Sequence, residues 1–150
     1  MQCPSKRIAV GVLIRDQRGR LLLVKPGYRE GWLIPGGVVD ADESPRAGLI
    51  REVREELGLS CTPERLLCVD YVRAAGDYGD GLHLLFAGEV LTSAQAATVR
   101  ICDPELTALC WATPSEALQL LVPSLARRLA SLRGSGFAQT LYLEDGQAAG

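Results

Sequence analysis

The chain has 150 residues and a mass of 16.1 kDa, with 47% hydrophobic and 23% charged residues, which suits one compact domain with its own core. Sixteen basic against eighteen acidic residues leave a net charge of −2, whereas a general nucleic-acid binder carries a strong basic excess. The abundance of Leu, Ile and Val excludes a disordered chain, and apolar runs such as Leu21 to Val24 and Leu118 to Val122, the latter broken by Gln119, fall far short of the roughly 20 residues of a membrane span.

The start, Met1-Gln2-Cys3-Pro4-Ser5-Lys6-Arg7, enters an alternating apolar run with no long apolar core ahead of a small-residue cleavage site, so no secretory leader is expected. Ile8 to Arg15 reads as a strand, Asp16-Gln17-Arg18-Gly19 as a turn, and Arg20 to Lys25 as the second arm of a hairpin. Gly31 to Ile34 is a short extended piece before a break at Pro35-Gly36-Gly37. The clearest helix spans Ser44 to Leu57, with Ser44 as cap, Pro45 at the first helical position and Gly58 ending it. Strands follow at Leu66 to Arg73, Leu82 to Val90 and Leu106 to Trp111.

Thr113-Pro114-Ser115-Glu116 is a capping box that opens a helix through about Leu121. Pro123 interrupts it, and a second helical stretch runs from Ser124 to about Arg133. The tail from Gly134 holds one short strand at Thr140 to Leu143 and frays from about residue 144. This order predicts a single domain over residues 1–150, an α/β sandwich with a mixed sheet. The five cysteines, Cys3, Cys61, Cys68, Cys102 and Cys110, are scattered and form no C-x-x-C pair. They read as thiols of a reducing compartment, with Cys68 and Cys110 in the core and the cytoplasm as the expected location.

The chemistry concentrates on the first helix. At 100° per residue, Ile50, Val53 and Leu57 fall on one stripe and predict its core face. Glu52, Glu55 and Glu56 cluster on the opposite side. Two carboxylates about 6 Å apart repel by about 3 kcal/mol at an effective dielectric of 20. Such a cluster suits Mg²⁺, which takes one or two carboxylates together with water and substrate phosphate. Arg51 is placed to brace a carboxylate, and the glycines of Trp32-Leu33-Ile34-Pro35-Gly36-Gly37 let backbone approach a metal or phosphate closely.

From Gly37 to Leu59 the chain reads GVVDADESPRAGLIREVREELGL. This resembles the box of the Nudix hydrolase family, G-x5-E-x7-R-E-U-x-E-E-x-G-U, where U is bulky and aliphatic. Gly37, Glu43, Arg51, Glu52, Val53, Glu55, Glu56, Gly58 and Leu59 fill every defined position, and the flanking G-W-x-x-P-G-G and strand order look like the rest of such a domain. The resemblance implies an α/β/α sandwich and hydrolysis of the P–O–P bond in a nucleoside diphosphate linked to another moiety. A nucleoside triphosphate, an oxidised one included, or a nucleotide sugar or dinucleotide would be the substrate, with Mg²⁺ as cofactor and Mn²⁺ as substitute.

Carried over by position, Glu52 and Glu56 would be the main metal ligands, Glu55 would support them, and the Gly36 carbonyl would complete the inner site. Arg51 and Glu43 would orient these groups. Glu52 is the first candidate to accept the proton of the attacking water. Some family members place that base on a later loop, where Glu105 and then Glu89 are the candidates here. Position offers Lys25 and Arg29 to phosphate, Gly37 to the substrate, and Tyr28, Trp32 and Tyr78 to a nucleobase. His83, the sole histidine, reads as structural or solvent-facing.

The expected partner is a small nucleotide, with no nucleic-acid polymer, no membrane, and a monomer or homodimer. The alternative is a non-catalytic nucleotide sensor on the same fold. Such versions lose acidic box positions, and this box keeps all of them. An isomerase on this fold would need extra metal-binding histidines, which one His does not supply.

Overall fold

Asp16 closes the first hairpin locally: one carboxylate oxygen accepts from the amides of Arg18 and Arg20 at 2.9 Å each, and the other pairs with Arg20 Nε at 2.7 Å. The computed structural model describes residues 3–149. The arms of this hairpin are β1 (Arg7–Asp16) and β2 (Leu21–Pro26), followed by a short β3 (Gly36–Val38) and α1 (Pro45–Leu57). Next come β4 (Pro63–Val72), β5 (Gly81–Leu91), the short α2 (Ser93–Thr98) and β6 (Leu106–Ala112). The chain ends with α3 (Pro114–Leu120), α4 (Pro123–Gly134), β7 (Leu141–Glu144) and β8 (Gln147–Ala148).

The strands form one sheet in the order β6-β2-β1-β5-β4-β7-β8, with β3 paired to β1. The β1–β5 and β4–β7 pairs are parallel and the others antiparallel, which makes the sheet mixed as expected. Alternation along the strands sends side chains to both faces. Val10, Val12, Ile14, Leu22 and Val24 pack with Leu49, Val53 and Leu57 of α1. Leu13, Leu21 and Leu23 pack on the other face with Ala117 of α3 and Leu129 and Leu132 of α4. Each fully buried aliphatic side chain stabilises this sandwich by roughly 2 kcal/mol.

Capping fixes the helix that carries the acidic cluster. Ser44 Oγ accepts from the Ala47 amide at 3.1 Å, and Gly58 adopts the left-handed conformation at φ 64°. Both bonds of the Thr113–Glu116 capping box are also present.

Four local readings differ. The Pro35-Gly36-Gly37 break is the start of a strand, because Pro35 O accepts from the Val12 amide at 3.1 Å and β3 then pairs along β1. The extended piece at residues 31–34 supplies only single pairings, Leu33 to Val24 and Trp32 to Leu121. The short α2, opened by a Thr92–Gln95 capping box, buries no residue and so shows no apolar period. The tail does not fray at residue 144: β7 and β8 pair across Asp145-Gly146, both at positive φ, the backbone a two-residue hairpin turn demands.

The core stripe of α1 also sits one residue from the expected one. Leu49, Val53 and Leu57 are wholly buried while Ile50 is half-buried. This small rotation carries Glu56 from the opposite face to the edge of the core, where it is 9% exposed. Cys68 is in the core, Cys110 is half-buried against it, and all five cysteines are free.

Candidate active site

One edge of β1 serves two partners: Arg15 pairs with Leu21 of β2, and Ala9 to Gly11 pair with Val38 to Gly36 of β3. The chain leaves β2 and returns to the same edge, bringing Gly36 and Gly37 against α1. Gly36 lies at φ 149°, and a β-carbon there would run into Val10 O and come within 2.8 Å of Gly11 Cα. Only glycine fits that approach.

The carboxylates of α1 meet this strand. The Gly36 N–H donates to Glu56 Oε1 at 3.0 Å. A β-carbon on Gly37 would stand 2.7 Å from each carboxylate oxygen of Glu52. Burial pushes the Glu56 carboxyl up to about 8; the Gly36 amide opposes that rise, while repulsion from Glu52, Asp103 and Glu55 adds to it. Burial also raises Glu52, against the pull of Arg51. Arg51 is the hub of the exposed side of the cluster. Its Nε and Nη2 bind Glu43 at 2.8 and 3.0 Å, its Nη1 reaches Glu52 at 3.2 Å and Glu55 at 3.2 Å, and Nη2 lies 3.4 Å from Asp40. The pair of hydrogen bonds from Arg51 is the main reason the Glu43 carboxyl is lowered to about 2.

A cavity of about 470 Å³ opens beside this cluster. Gly36, Gly37, Glu56, Arg29 and Glu105 line it, so the structure brings these expected site residues together. Glu105 precedes β6 in a turn fixed by Asp103 Oδ1, which accepts from its amide at 2.9 Å, and by the Gly27 amide, which donates to its carbonyl at 2.8 Å; its side chain is exposed. Lys25 and Trp32 do not line the cavity; Lys25 Nζ lies 5.8 Å over the Trp32 ring. Glu89 lies on β5 outside it. Tyr28 and Tyr78 are exposed and border it. Arg7, Asp103, Ser124 and Arg128, which no local pattern singles out, also line the cavity, as does His83, expected to be structural or solvent-facing; tertiary packing brings them there.

Among the described residues no three His, Cys, Asp or Glu side chains enclose a metal ion by themselves. The donor set nevertheless fits a hard divalent ion that keeps most of its waters. Glu52 and Glu56 stand one helical turn apart, both in the edge region facing β3, and no salt bridge neutralises Glu56 among the described residues. Mg²⁺ takes one or two carboxylates and fills its other positions with water and phosphate. No helix among the described residues is long and apolar enough to cross a membrane.

The chain is similar to known proteins. The family model described as the NUDIX domain matches residues 5–132. A MutT-like protein of Streptomyces ambofaciens is 32% identical over 127 residues, covering 84% of this chain and 76% of that one. The CTP pyrophosphohydrolase of Escherichia coli (strain K12) is 33% identical over 118 residues, 76% of this chain and 82% of that one. The crystal structure of a MutT protein from Methanosarcina mazei Go1 superposes with a TM-score of 0.75 at 22% identity, over 91% of this chain and 99% of the other, and shares the fold.

Proposed function

We propose, for a chain that belongs to the NUDIX hydrolase family and is a Nudix-type pyrophosphohydrolase, a divalent-metal-dependent cleavage of the P–O–P bond in a nucleoside diphosphate linked to another moiety. Nucleoside triphosphates are the first substrate class, supported by the relative named a CTP pyrophosphohydrolase. The observation that carries the reading is Glu56: a carboxyl nine-tenths buried, disfavoured in its ionised form by burial and by Glu52, and held among the described residues only by the Gly36 amide. Such a group is costly unless a cation joins it. The five free thiols support a reducing, cytoplasmic setting.

Glu52, Glu56 and the Gly36 carbonyl would hold Mg²⁺, or Mn²⁺ in its place, with Glu55 reaching it through water; bound there, the ion neutralises phosphate oxygens and makes a coordinated water more acidic. The remaining work belongs to the chain. Arg51, fixed by both oxygens of Glu43, keeps the Glu52 carboxylate turned to Gly37. Arg29 on the cavity wall offers its guanidinium to the non-bridging phosphate oxygens. Glu105, exposed on the same cavity, takes the proton of the attacking water. Glu52 is thereby left to bind rather than to act as base.

The test is turnover of nucleoside triphosphates, nucleotide sugars and dinucleotides with Mg²⁺, with Mn²⁺ and with chelator. Glu56→Gln keeps the shape and removes the charge, so turnover falls by at least about 100-fold. In chelator near neutral pH the same variant melts about 3 °C higher, since folding no longer has to bury a carboxyl that prefers to ionise in water. Chelator-resistant turnover, or a Glu56→Gln variant of full activity, would sink the reading.

A further inference from the structure

Glu105 occupies the third position of a turn, Asp103-Pro104-Glu105-Leu106, whose first two residues have no part in the mechanism above. Asp followed by Pro suits a tight turn, because Pro presets its own backbone and an Asp side chain can bond the backbone two residues on. Both closing bonds are present. The Leu106 amide donates to Asp103 O at 3.0 Å, and the Glu105 amide donates to Asp103 Oδ1 at 2.9 Å. From the end of β2, the Gly27 amide donates to the Glu105 carbonyl at 2.8 Å. The main chain of Glu105 is thus fastened at both of its polar groups, while its side chain is exposed on the cavity.

The turn hangs from the helix that carries the acidic cluster. Cys102, the residue before Asp103, donates its amide to the main-chain carbonyl of Glu56 at 2.8 Å. Glu56 stands in the last turn of α1, where carbonyls lack helical partners. One short path therefore joins two carboxyl groups of the cavity. It runs from Glu56 O to the Cys102 amide, along one residue to Asp103 Oδ1, and from there to the Glu105 amide. Such placement matters for a base, which must stand within about 2.6–3.2 Å of the proton it takes. A displacement of about 1 Å can cost about 100-fold in rate.

We propose that Asp103 is a positioning residue for the reaction: by accepting from the Glu105 amide, it aims the Glu105 carboxylate at the attacking water. This inference rests on the reading of Glu105 as the base. What Asp103 contributes is an acceptor in the right place rather than its charge. A side chain that keeps the acceptor and loses the charge therefore serves equally well. Asparagine is that side chain, since it makes the same bond to the amide two residues on. Alanine lacks it.

Two measurements on the full chain separate this role from a merely structural one. Amide exchange by NMR, without added metal, reads the turn: Asp103→Ala speeds exchange at Glu105 by about tenfold, and Asp103→Asn does not. Single-turnover hydrolysis, with Mg²⁺ and the nucleotide that the substrate panel turns over fastest, reads the aim. Asp103→Ala slows the chemical step by about tenfold, leaves the half-saturating concentration within about twofold, and is rescued by Asp103→Asn. Glu105→Gln slows it by about 100-fold or more. Adding Asp103→Ala to Glu105→Gln costs less than about twofold further, because nothing is left to aim. Should Asp103→Ala fail to fold, Asp103→Ser, whose hydroxyl makes this bond more weakly, takes its place with a slowing of about threefold or more. Unchanged exchange at Glu105, a full rate without the acceptor, an asparagine variant as slow as alanine, or an undiminished loss in the Glu105→Gln background would overturn the proposal. With Glu105→Gln still slow, each of these leaves Glu105 as the base. A Glu105→Gln variant of full rate would instead remove the base reading and this inference together, and a wild type without turnover would remove the hydrolase reading itself.

Discussion

Glu52 and Gly37 share one small volume: the two carboxylate oxygens of Glu52 stand 2.7 Å from where a Gly37 β-carbon would be. The absent side chain on β3 is thus the seat of the carboxylate on α1. Gly37→Ala should displace Glu52 and lower kcat/KM by about 10- to 100-fold, the usual cost of disturbing a ligand's support. Its melting temperature should change less than that of Gly36→Ala, because a Gly36 β-carbon meets rigid backbone at φ 149° whereas Glu52 is a side chain that can swing. Steady-state kinetics beside thermal melts separate the two; an active Gly37→Ala variant would show that Glu52 need not sit there.

Arg51 holds Glu43 with two donors and reaches Glu52 and Glu55 with a third. Lysine carries one point charge and cannot make this fork. Arg51→Lys is expected to lower turnover by about tenfold or more and melting temperature by only about 3 °C, since the network is partly exposed and solvent screens such pairs. A variant with the stability loss but full turnover would make Arg51 a structural brace alone.

His83 gives the pH dependence. It faces Asp70 on β4, Arg128 on α4 and Arg7 on β1. Burial first, then the Arg128 charge, lowers it to about 4 from an ordinary 6.5. Below pH 6.5 the unfolded chain therefore binds a proton that the folded chain refuses. Stability from this residue is complete above pH 6.5 and drains away as pH falls towards 4, by about 2 kcal/mol after allowance for its partial exposure. Denaturant titrations of wild type and His83→Gln between pH 7 and pH 4 check this: the wild type should lose more stability over that span, and parallel curves would refute it.

The features legible in the sequence are those whose causes are local. Ser44, Pro45 and Gly58 bound α1 because caps act within one turn, and Asp16 and Gly19 mark the first hairpin for the same reason. The spacing of Glu52, Glu55 and Glu56 survives folding because a helix preserves it. What was not legible depends on distant partners. A wheel does not choose between Leu49 and Ile50 as the buried position; the sheet does, and that choice buries Glu56. β3 exists because β1 offers it an edge, and Gly36-Gly37 alone looks like a turn. Arg128 finds Asp70 from 58 residues away, a distance over which no periodicity speaks. Asp145-Gly146 was a readable turn signal, but Gln147 and Ala148 are poor strand formers and conceal the arm that follows.

The Asp145-Gly146 turn reaches further than its exposed position suggests. The matched domain stops at residue 132, yet the Gly146 amide supports Asp70, which in turn anchors Arg128 beneath the cavity. Cutting the chain at residue 132 would strip Asp70 of the Gly146 hydrogen bond and loosen Arg128 on the cavity wall, so the last hairpin steadies the interior although it lies outside the matched segment.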